Sequence, residues 1–250
     1  MPLRAVISTP EGKRRYVRRL FATIADRYDF ITRFLSYGQD RRWKRRLIRL
    51  AALTPADRVL DLACGTGDLA FGAAPHVSRV VGLDLTFRMV QLATRRPLSG
   101  SPAAPTSTAP VPKFLTGDML ALPFPEACFD VVTTGYGLRN VPDLDRALLE
   151  IRRVLVPGGR LLSLDFNRPR NPLLRAGYLT YLTVVGSSLG VALHGDPDTY
   201  RYIPESIRNY PGAEGVARLV EQHGFTGVRV LPVLGGLMAI HVAARGRRPA

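Results

Sequence analysis

The sequence predicts an α/β fold: an open, mostly parallel β-sheet with helices on both faces, preceded by an N-terminal helical cap. Three observations point there. From about residue 57, short apolar runs alternate with segments of helical spacing, the pattern of strands linked by helices. One run, Val59-Leu-Asp-Leu-Ala-Cys-Gly-Thr-Gly-Asp-Leu69, passes straight into a glycine-rich turn and then a helix. Acids stand at successive run ends, Asp61, Asp84 and Asp118, at the edge where an open α/β sheet gathers its ligand-binding residues.

Residues 1–56 read as a basic helical cap. The first fifty residues hold fourteen Lys/Arg and four Asp/Glu, which is most of the net charge of +15 on this 250-residue chain. In the densest part, Trp43, Leu47, Leu50 and Ala51 fall on one helical stripe, with Arg42, Arg45, Arg46 and Arg49 opposite. Such a helix packs one face on a core and turns its basic back to solvent or to anionic headgroups, where each basic residue is worth roughly 1 kcal/mol. Lys13, Arg14, Arg15, Arg18 and Arg19 come without an apolar core segment, so no secretory signal is expected.

Residues 57–166 form the alternating core. Arg58–Ala63, Val77–Leu83, Lys113–Thr116, Phe129–Thr134 and Gly159–Phe166 read as strands, the last launched by the Pro157-Gly158-Gly159 turn. Helices fit at about 67–74, 86–95 and 143–154. The Pro/Ala/Ser/Thr tract at 97–112 reads as a flexible surface insertion. Residues 167–212 break the alternation and, rich in Tyr, Gly and Pro, read as a long irregular insert suited to a substrate lid. An uncharged run there, Leu179 to Leu193, falls short of the ~20 residues that span a bilayer, so no membrane span is expected. Residues 213–243 close the sheet with a helix near 213–223 and two strands, one of them antiparallel, and 244–250 form a tail. The whole reads as one domain and, by default, a cytoplasmic protein.

Composition narrows the chemistry. Two cysteines, Cys64 and Cys128, exclude a disulfide scaffold and a Cys-rich zinc module, and no metal site is expected. The turn after the first strand is not a dinucleotide fingerprint, since position 70 is Ala, and no Lys-Ser/Thr follows to make a phosphate-binding loop. Gly65 and Gly67 let a ligand approach the backbone. Asp84, twenty-three residues after Asp61, is placed to accept ribose hydroxyls, and Asp118 with the backbone beside it to read an adenine edge.

This acid–glycine–acid arrangement over 57–166 resembles the class I S-adenosylmethionine-dependent methyltransferases. The resemblance implies a Rossmann-like, seven-stranded sheet with a reversed last strand. It also implies a cofactor set of Asp61, Gly65, Thr66, Gly67, Asp84, Asp118 and Met119. There the turn lies against the methionine portion, Asp84 holds the ribose, and Asp118 and Met119 flank the adenine. Cys64 is then a turn residue.

The flanks are similar to a narrower family, the enzymes that C-methylate prenylated quinols in ubiquinone and menaquinone biosynthesis. The blocks that carry this are Phe21–Ile31 with Leu35-Ser-Tyr-Gly and Trp43-Lys, then Tyr136-Gly-Leu-Arg-Asn-Val141, Asp198–Ile207 with Pro211, and Gly235–His241. What the resemblance implies is methyl transfer to a quinol ring carbon, demethylmenaquinol first and a methoxy-benzoquinol second. Carbon becomes nucleophilic when a ring hydroxyl ionises, so the protein must position the ring, stabilise a phenolate and take a proton. Arg139 is the candidate for the phenolate and Asn140 for a hydroxyl. Asp165 and His241 are candidate bases, and Tyr28, Tyr136, Tyr200 and Tyr202 candidate pocket residues. Each also has a plainer reading, as an ion-pair partner, a core aromatic or a satisfied strand histidine.

This chain departs from that family at Gly135, where Ser is usual, at Asp165, where Glu is usual, and at Gly186-Ser187, where Leu-Pro is usual. A bilayer substrate ties the function back to charge, with the basic N-terminal region and the 179–193 run meeting an anionic membrane surface peripherally. A homodimer is a further expected option. The alternatives are another small aromatic acceptor or a nucleic acid. Against the last, position 135–140 reads Gly-Tyr-Gly-Leu-Arg-Asn rather than the Asn/Asp-Pro-Pro-aromatic run of exocyclic-amine enzymes.

Overall fold

The computed structural model describes residues 3–96, 110–197 and 199–246. The tract read as a surface insertion lies, through residue 109, outside the described residues, as do the last four residues of the tail.

Seven strands form one sheet: β1 (Arg58–Leu62), β2 (Arg79–Asp84), β3 (Lys113–Thr116), β4 (Phe129–Gly135), β5 (Leu155–Phe166), β6 (Phe225–Val233) and β7 (Met238–Arg245), in the order β3-β2-β1-β4-β5-β7-β6. β7 runs antiparallel between β5 and β6; the other neighbours pair in parallel. The order reverses between β1 and β4, so the carboxyl ends of those strands diverge and open a crevice. β1 is buried on both faces after its first residue, as a central parallel strand must be. Its Val59, with Val131 of β4, faces α4 (Asp40–Ala51) and α5 (Asp68–Ala73). Leu60, Leu62 and Val132 face the opposite layer of α7 (Leu144–Val154) and α10 (Gly212–Gln222).

The N-terminal cap is α1 (Leu3–Val6), α2 (Pro10–Ile24), α3 (Tyr28–Leu35) and α4. Thr9 caps α2 by accepting the Gly12 N–H, with Pro10 pre-set in the first turn. On α4 the buried stripe is Trp43, Leu47, Ile48 and Ala51, while Leu50 is only partly covered. α6 (Phe87–Arg95) follows β2 and packs on β2 and β3.

Two readings of the chain need correction. The strand expected from Gly159 begins at Leu155, and the Pro-Gly-Gly turn is an irregularity inside it, where the β4–β5 register shifts between Phe129 and Val131. The insert at 167–212 is not irregular. It holds α8 (Pro172–His194), of twenty-three residues, and α9 (Tyr202–Arg208). Asn171 caps α8, Pro172 starts it, and Gly195 at φ 67° ends it. Two of the internal glycines that suggested a loop, Gly186 and Gly190, are packing positions, while Gly177 faces open space. A Cβ on Gly190 would sit 2.4 Å from the Asp196 carbonyl oxygen, and one on Gly186 would sit 3.2 Å from Tyr200 Cβ. The returning chain needs that groove. The uncharged stretch also extends beyond the run read from Leu179, from Ala176 to Gly195, and α8 is long and apolar enough to cross a membrane by length and composition. Most of its outer face is uncovered, and Tyr178, Leu179 and Leu182 pack inward with Ile207. α2, α3, α8 and α9 thus make a third layer over the carboxyl edge of the sheet.

Candidate active site

After β1 the backbone turns through three left-handed residues, Ala63, Gly65 and Gly67, at φ 51°, 53° and 89°. The turn is braced from β2: Asp84 accepts the Gly65 N–H at 2.9 Å on one oxygen and the Thr86 N–H at 2.8 Å on the other. Gly67 has no room for a side chain, since a Cβ there would lie 2.8 Å from the Phe114 ring. Thr66 donates to Asp29 of α3 at 2.6 Å, tying the cap to the turn. Cys64 is buried, and burial pushes its thiol well above the ordinary range, which suits a turn residue and not a nucleophile.

Asp61 lies level with Thr133 of β4, accepts its hydroxyl at 2.9 Å, and accepts the Ala70 N–H of α5 at 3.1 Å. Burial pushes its carboxyl up to about 7 despite those bonds. It lines a small compartment of ≈ 20 Å³ with Thr66, Asp68 and Lys44. Burial raises Asp68, but Lys44 and Arg96 outweigh it and hold the carboxyl at about 2.

Beside this compartment a cleft of ≈ 70 Å³ is lined by Gly65, Asp84, Asp118, Met119, Gly135 and Asn140. A Cβ on Gly135 would point away from the cleft, toward Leu69 of the small compartment, whose Cδ1 it would meet at 3.2 Å. The cleft is smaller than the ~300 Å³ at which small-molecule sites begin, and α2 closes it with Arg14, Val17 and Phe21. Arg14 Nε lies 2.8 Å from Asp118 Oδ2, and Lys13 donates to the Arg139 and Val141 carbonyls at 3.1 and 2.6 Å. Burial, with Arg139 adding to it, lowers the Lys13 amine to about 8.

Toward the third layer opens a second cavity, of ≈ 570 Å³ and almost wholly apolar. Arg139 is the one charged residue among the described residues of its wall. The guanidinium is 6% exposed, with Nε 3.1 Å from Asp165 Oδ1, a charge contact without hydrogen-bond alignment. Nη1 donates to Ser206 at 2.7 Å, and the group lies 4.9 Å over the Phe166 ring. Tyr28 and Tyr136 line this cavity, the cleft and the small compartment, so the two rings form the partition where all three meet. Tyr200 and Tyr202 are at once core residues and cavity wall, and the Tyr202 hydroxyl has no hydrogen-bond partner among the described residues.

Three candidates sit elsewhere than expected. His241 is no base for this site: it lies in the core, with one ring nitrogen 2.7 Å from the Ala213 carbonyl and the other 3.2 Å from Ser163 Oγ, and burial lowers its basicity. On β7 it points toward the α10 layer. Asp165 lies behind Arg139, out of the cavity wall, and burial raises its carboxyl against the pull of Arg139. Asn140 faces the cleft, not the apolar cavity, and its amide spans the Tyr136 carbonyl at 2.7 Å and Arg139 Nη1 at 3.2 Å. Missed from the sequence were Lys44, Asp68, Asp40 and Arg14. The Trp43-Lys block was the only signal for Lys44, and it came without a role.

The model of the ubiE/COQ5 methyltransferase family matches residues 9–245. The demethylmenaquinone methyltransferase of Thermus thermophilus is 40% identical over 228 residues, 90% of this chain and 100% of that one. The ubiquinone/menaquinone biosynthesis C-methyltransferase UbiE of Ectopseudomonas mendocina is 39% identical over 244 residues, 96% of this chain and 92% of that one. Among solved structures, an S-adenosylmethionine-dependent methyltransferase of Thermotoga maritima aligns at TM-score 0.63 with 18% identity, covering 92% of this chain and 99% of that one, a likeness of fold.

Proposed function

The chain belongs to the ubiE/COQ5 methyltransferase family, and on that premise we infer that it methylates a ring carbon of a prenylated quinol with S-adenosylmethionine, demethylmenaquinol first and a methoxy-benzoquinol second. The observation that carries the acceptor is the ≈ 570 Å³ apolar cavity with a single guanidinium in its wall, joined to the acid-lined cleft at Tyr28 and Tyr136. A prenylated ring is apolar over most of its surface and becomes anionic at one oxygen, and the wall matches both properties. A phosphodiester would bring charge that the apolar wall leaves unpaired.

The residues present fit the cofactor. The left-handed turn brings the Gly65 backbone to the cleft, Asp84 stands in the cleft wall as a carboxylate braced by the Gly65 and Thr86 N–H groups, and Asp61 with Asp68 offers anionic charge to an ammonium. When bound, S-adenosylmethionine supplies an electrophilic sulfonium methyl. The chain's own work is to hold the ring against the Tyr28–Tyr136 partition and to let Arg139 draw negative charge onto the ring oxygen. α2 and α3 shut water from the junction.

The cavity mouth supports a peripheral membrane contact. Of the cavity-lining residues, Leu173 is 83% exposed and Tyr37 66%, with Leu174 and Leu234 beside them. Phe30 and Phe34 stack on the outer face of α3, flanking Arg33, and the outward residues of α8 are uncharged from Ala176 onward. An apolar rim set among basic residues suits an anionic bilayer from which a prenyl tail enters.

The test is transfer of labelled methyl from S-adenosylmethionine to demethylmenaquinol and to the methoxy-benzoquinol, each reduced and oxidised. Label on ring carbon of a reduced ring alone is the expected result. Cofactor binding without transfer to either ring would send the search to another aromatic acceptor.

A further inference from the structure

Behind the partition between the cavities runs a chain of charges that the reading above leaves unused. Tyr136, directly after β4, stands at φ 61°, a left-handed setting that turns a bulky ring out of the strand line and between the cavities. Its hydroxyl donates to Asp40 Oδ1 at 2.6 Å. The other Asp40 oxygen takes Lys44 Nζ at 2.7 Å, and Lys44 reaches on to Asp68 Oδ2 at 2.8 Å. Burial works against the Lys44 charge, but Asp68 and Asp40 outweigh it and keep the amine above its ordinary range.

Asp40 is 5% exposed, in the first turn of α4. It stands one side chain behind the large cavity, because Ser36, which accepts its N–H, and Trp43 line that cavity together with Tyr136. The other titratable or charged groups around Tyr136 are Tyr28, Lys44 and Asp165, with Arg139 across the Phe166 ring. Burial first, then Asp40, pushes the Tyr136 phenol well up.

Carbon methylation of a quinol needs a place for the hydroxyl proton; once the methyl is on, the attacked carbon loses its hydrogen and the ring oxygen regains one as the ring becomes aromatic again, so one proton leaves overall. His241 is locked in the core, Asp165 is screened by Arg139, and Arg139 stays charged. We propose that Tyr136 and Asp40 form the proton exit of this site. The ring hydroxyl gives its proton to Tyr136 Oη while Tyr136 gives its own to Asp40 Oδ1. One O–H bond breaks and one forms at each transfer. The electron pair stays on the ring oxygen, so a unit of negative charge passes from Asp40, beside Lys44, to the ring, beside Arg139. Asp40 acts through Tyr136 and does not touch the ring. This inference rests on the quinol reading above.

The test compares wild type with Asp40→Asn, Tyr136→Phe and the double variant, using reduced demethylmenaquinol of short prenyl length. Each single change is expected to lower kcat about 100-fold, with S-adenosylmethionine affinity by calorimetry within about threefold of wild type. The double variant is expected to be no slower than the singles, because the two residues act as a unit. Between pH 7 and 9 the Asp40→Asn rate should climb more steeply than wild type, by up to about tenfold per pH unit, as hydroxide replaces the lost acceptor. Tyr136→Phe keeps the buried ring and separates loss of the proton route from loss of the fold. The proposal is overturned by variants that keep more than about a third of wild-type kcat, by a loss of kcat that leaves the pH dependence unchanged, or by a fall in kcat that tracks cofactor affinity and melting temperature. Wild type that methylates no quinol would instead overturn the functional reading itself.

Discussion

Replacing Arg139 by Gln separates a functional arginine from a structural one. The side chain is 6% exposed and its partner Asp165 2%, so solvent screens little of their 3.1 Å charge contact. Removing one member of a buried pair costs about 3–5 kcal/mol, because the remaining charge is stranded. At roughly 2–4 °C per kcal/mol for a chain of this size, Arg139→Gln should melt about 6–20 °C below wild type. Burial already holds the Asp165 carboxyl above its ordinary range, and losing Arg139 raises it further. The folded state then takes up a proton before the unfolded state does, so the stability deficit shrinks as pH falls from 7 toward 4. Adding Asp165→Asn removes the stranded charge and should recover about half of the lost stability. Turnover should not follow. A guanidinium that steadies a ring oxygen is worth about 10²–10³ in rate, and the double variant still lacks it. The assays are thermal unfolding by circular dichroism and methyl transfer to reduced demethylmenaquinol. If the double variant regains both stability and turnover, Arg139 serves only to neutralise Asp165 and the mechanistic role given to it is wrong.

Three further outcomes follow from the site. Asp61, with its carboxyl pushed up to about 7 when folded, should make S-adenosylmethionine binding weaken by about tenfold per pH unit below that value, and in the empty protein its contribution to stability is lost as pH rises between its ordinary range and about 7; calorimetry that finds pH-independent affinity from 5.5 to 7 would exclude Asp61 as the ammonium's partner. Asp84→Asn sets an amide donor against one of the two N–H groups that the carboxylate accepts, and removes a charged acceptor worth about 1.5–3 kcal/mol, so the cofactor Kd should rise roughly 10- to 150-fold; a change under threefold would place the ribose elsewhere. Leu173→Glu, at an 83% exposed rim position, should abolish sedimentation with anionic vesicles at moderate salt while sparing transfer to a short, detergent-dispersed quinol; wild type that ignores anionic vesicles would dismiss the membrane face.

The cofactor side was legible because a parallel α/β sheet converts sequence order into place. Each strand ends at the same edge, so Asp61, Asp84 and the turn at Gly65 reach one crevice without any long-range information. The strands announced themselves by being buried on both faces. α8 was not legible, because the glycines that let the returning chain pack against it look like loop residues until the partner chain is in view. His241 was misread for a related reason. Strand alternation gives a side chain one of two faces, and only the packed layers decide whether that face meets the ligand or α10.

By itself, then, the sequence determined the α/β class, the glycine-rich turn and the acids at the strand ends, all set by local pattern and by the geometry that every parallel sheet shares. Only the tertiary structure decided what faces the reacting ring. Asp40 meets Tyr136 across 96 residues, Lys13 meets the Arg139 carbonyl across 126, and Asp68 is brought to Lys44 by the packing of α5 on α4. These contacts depend on how separate layers close over one edge, and burial and pairing then set each group's charge. No periodicity within a single segment carries that information.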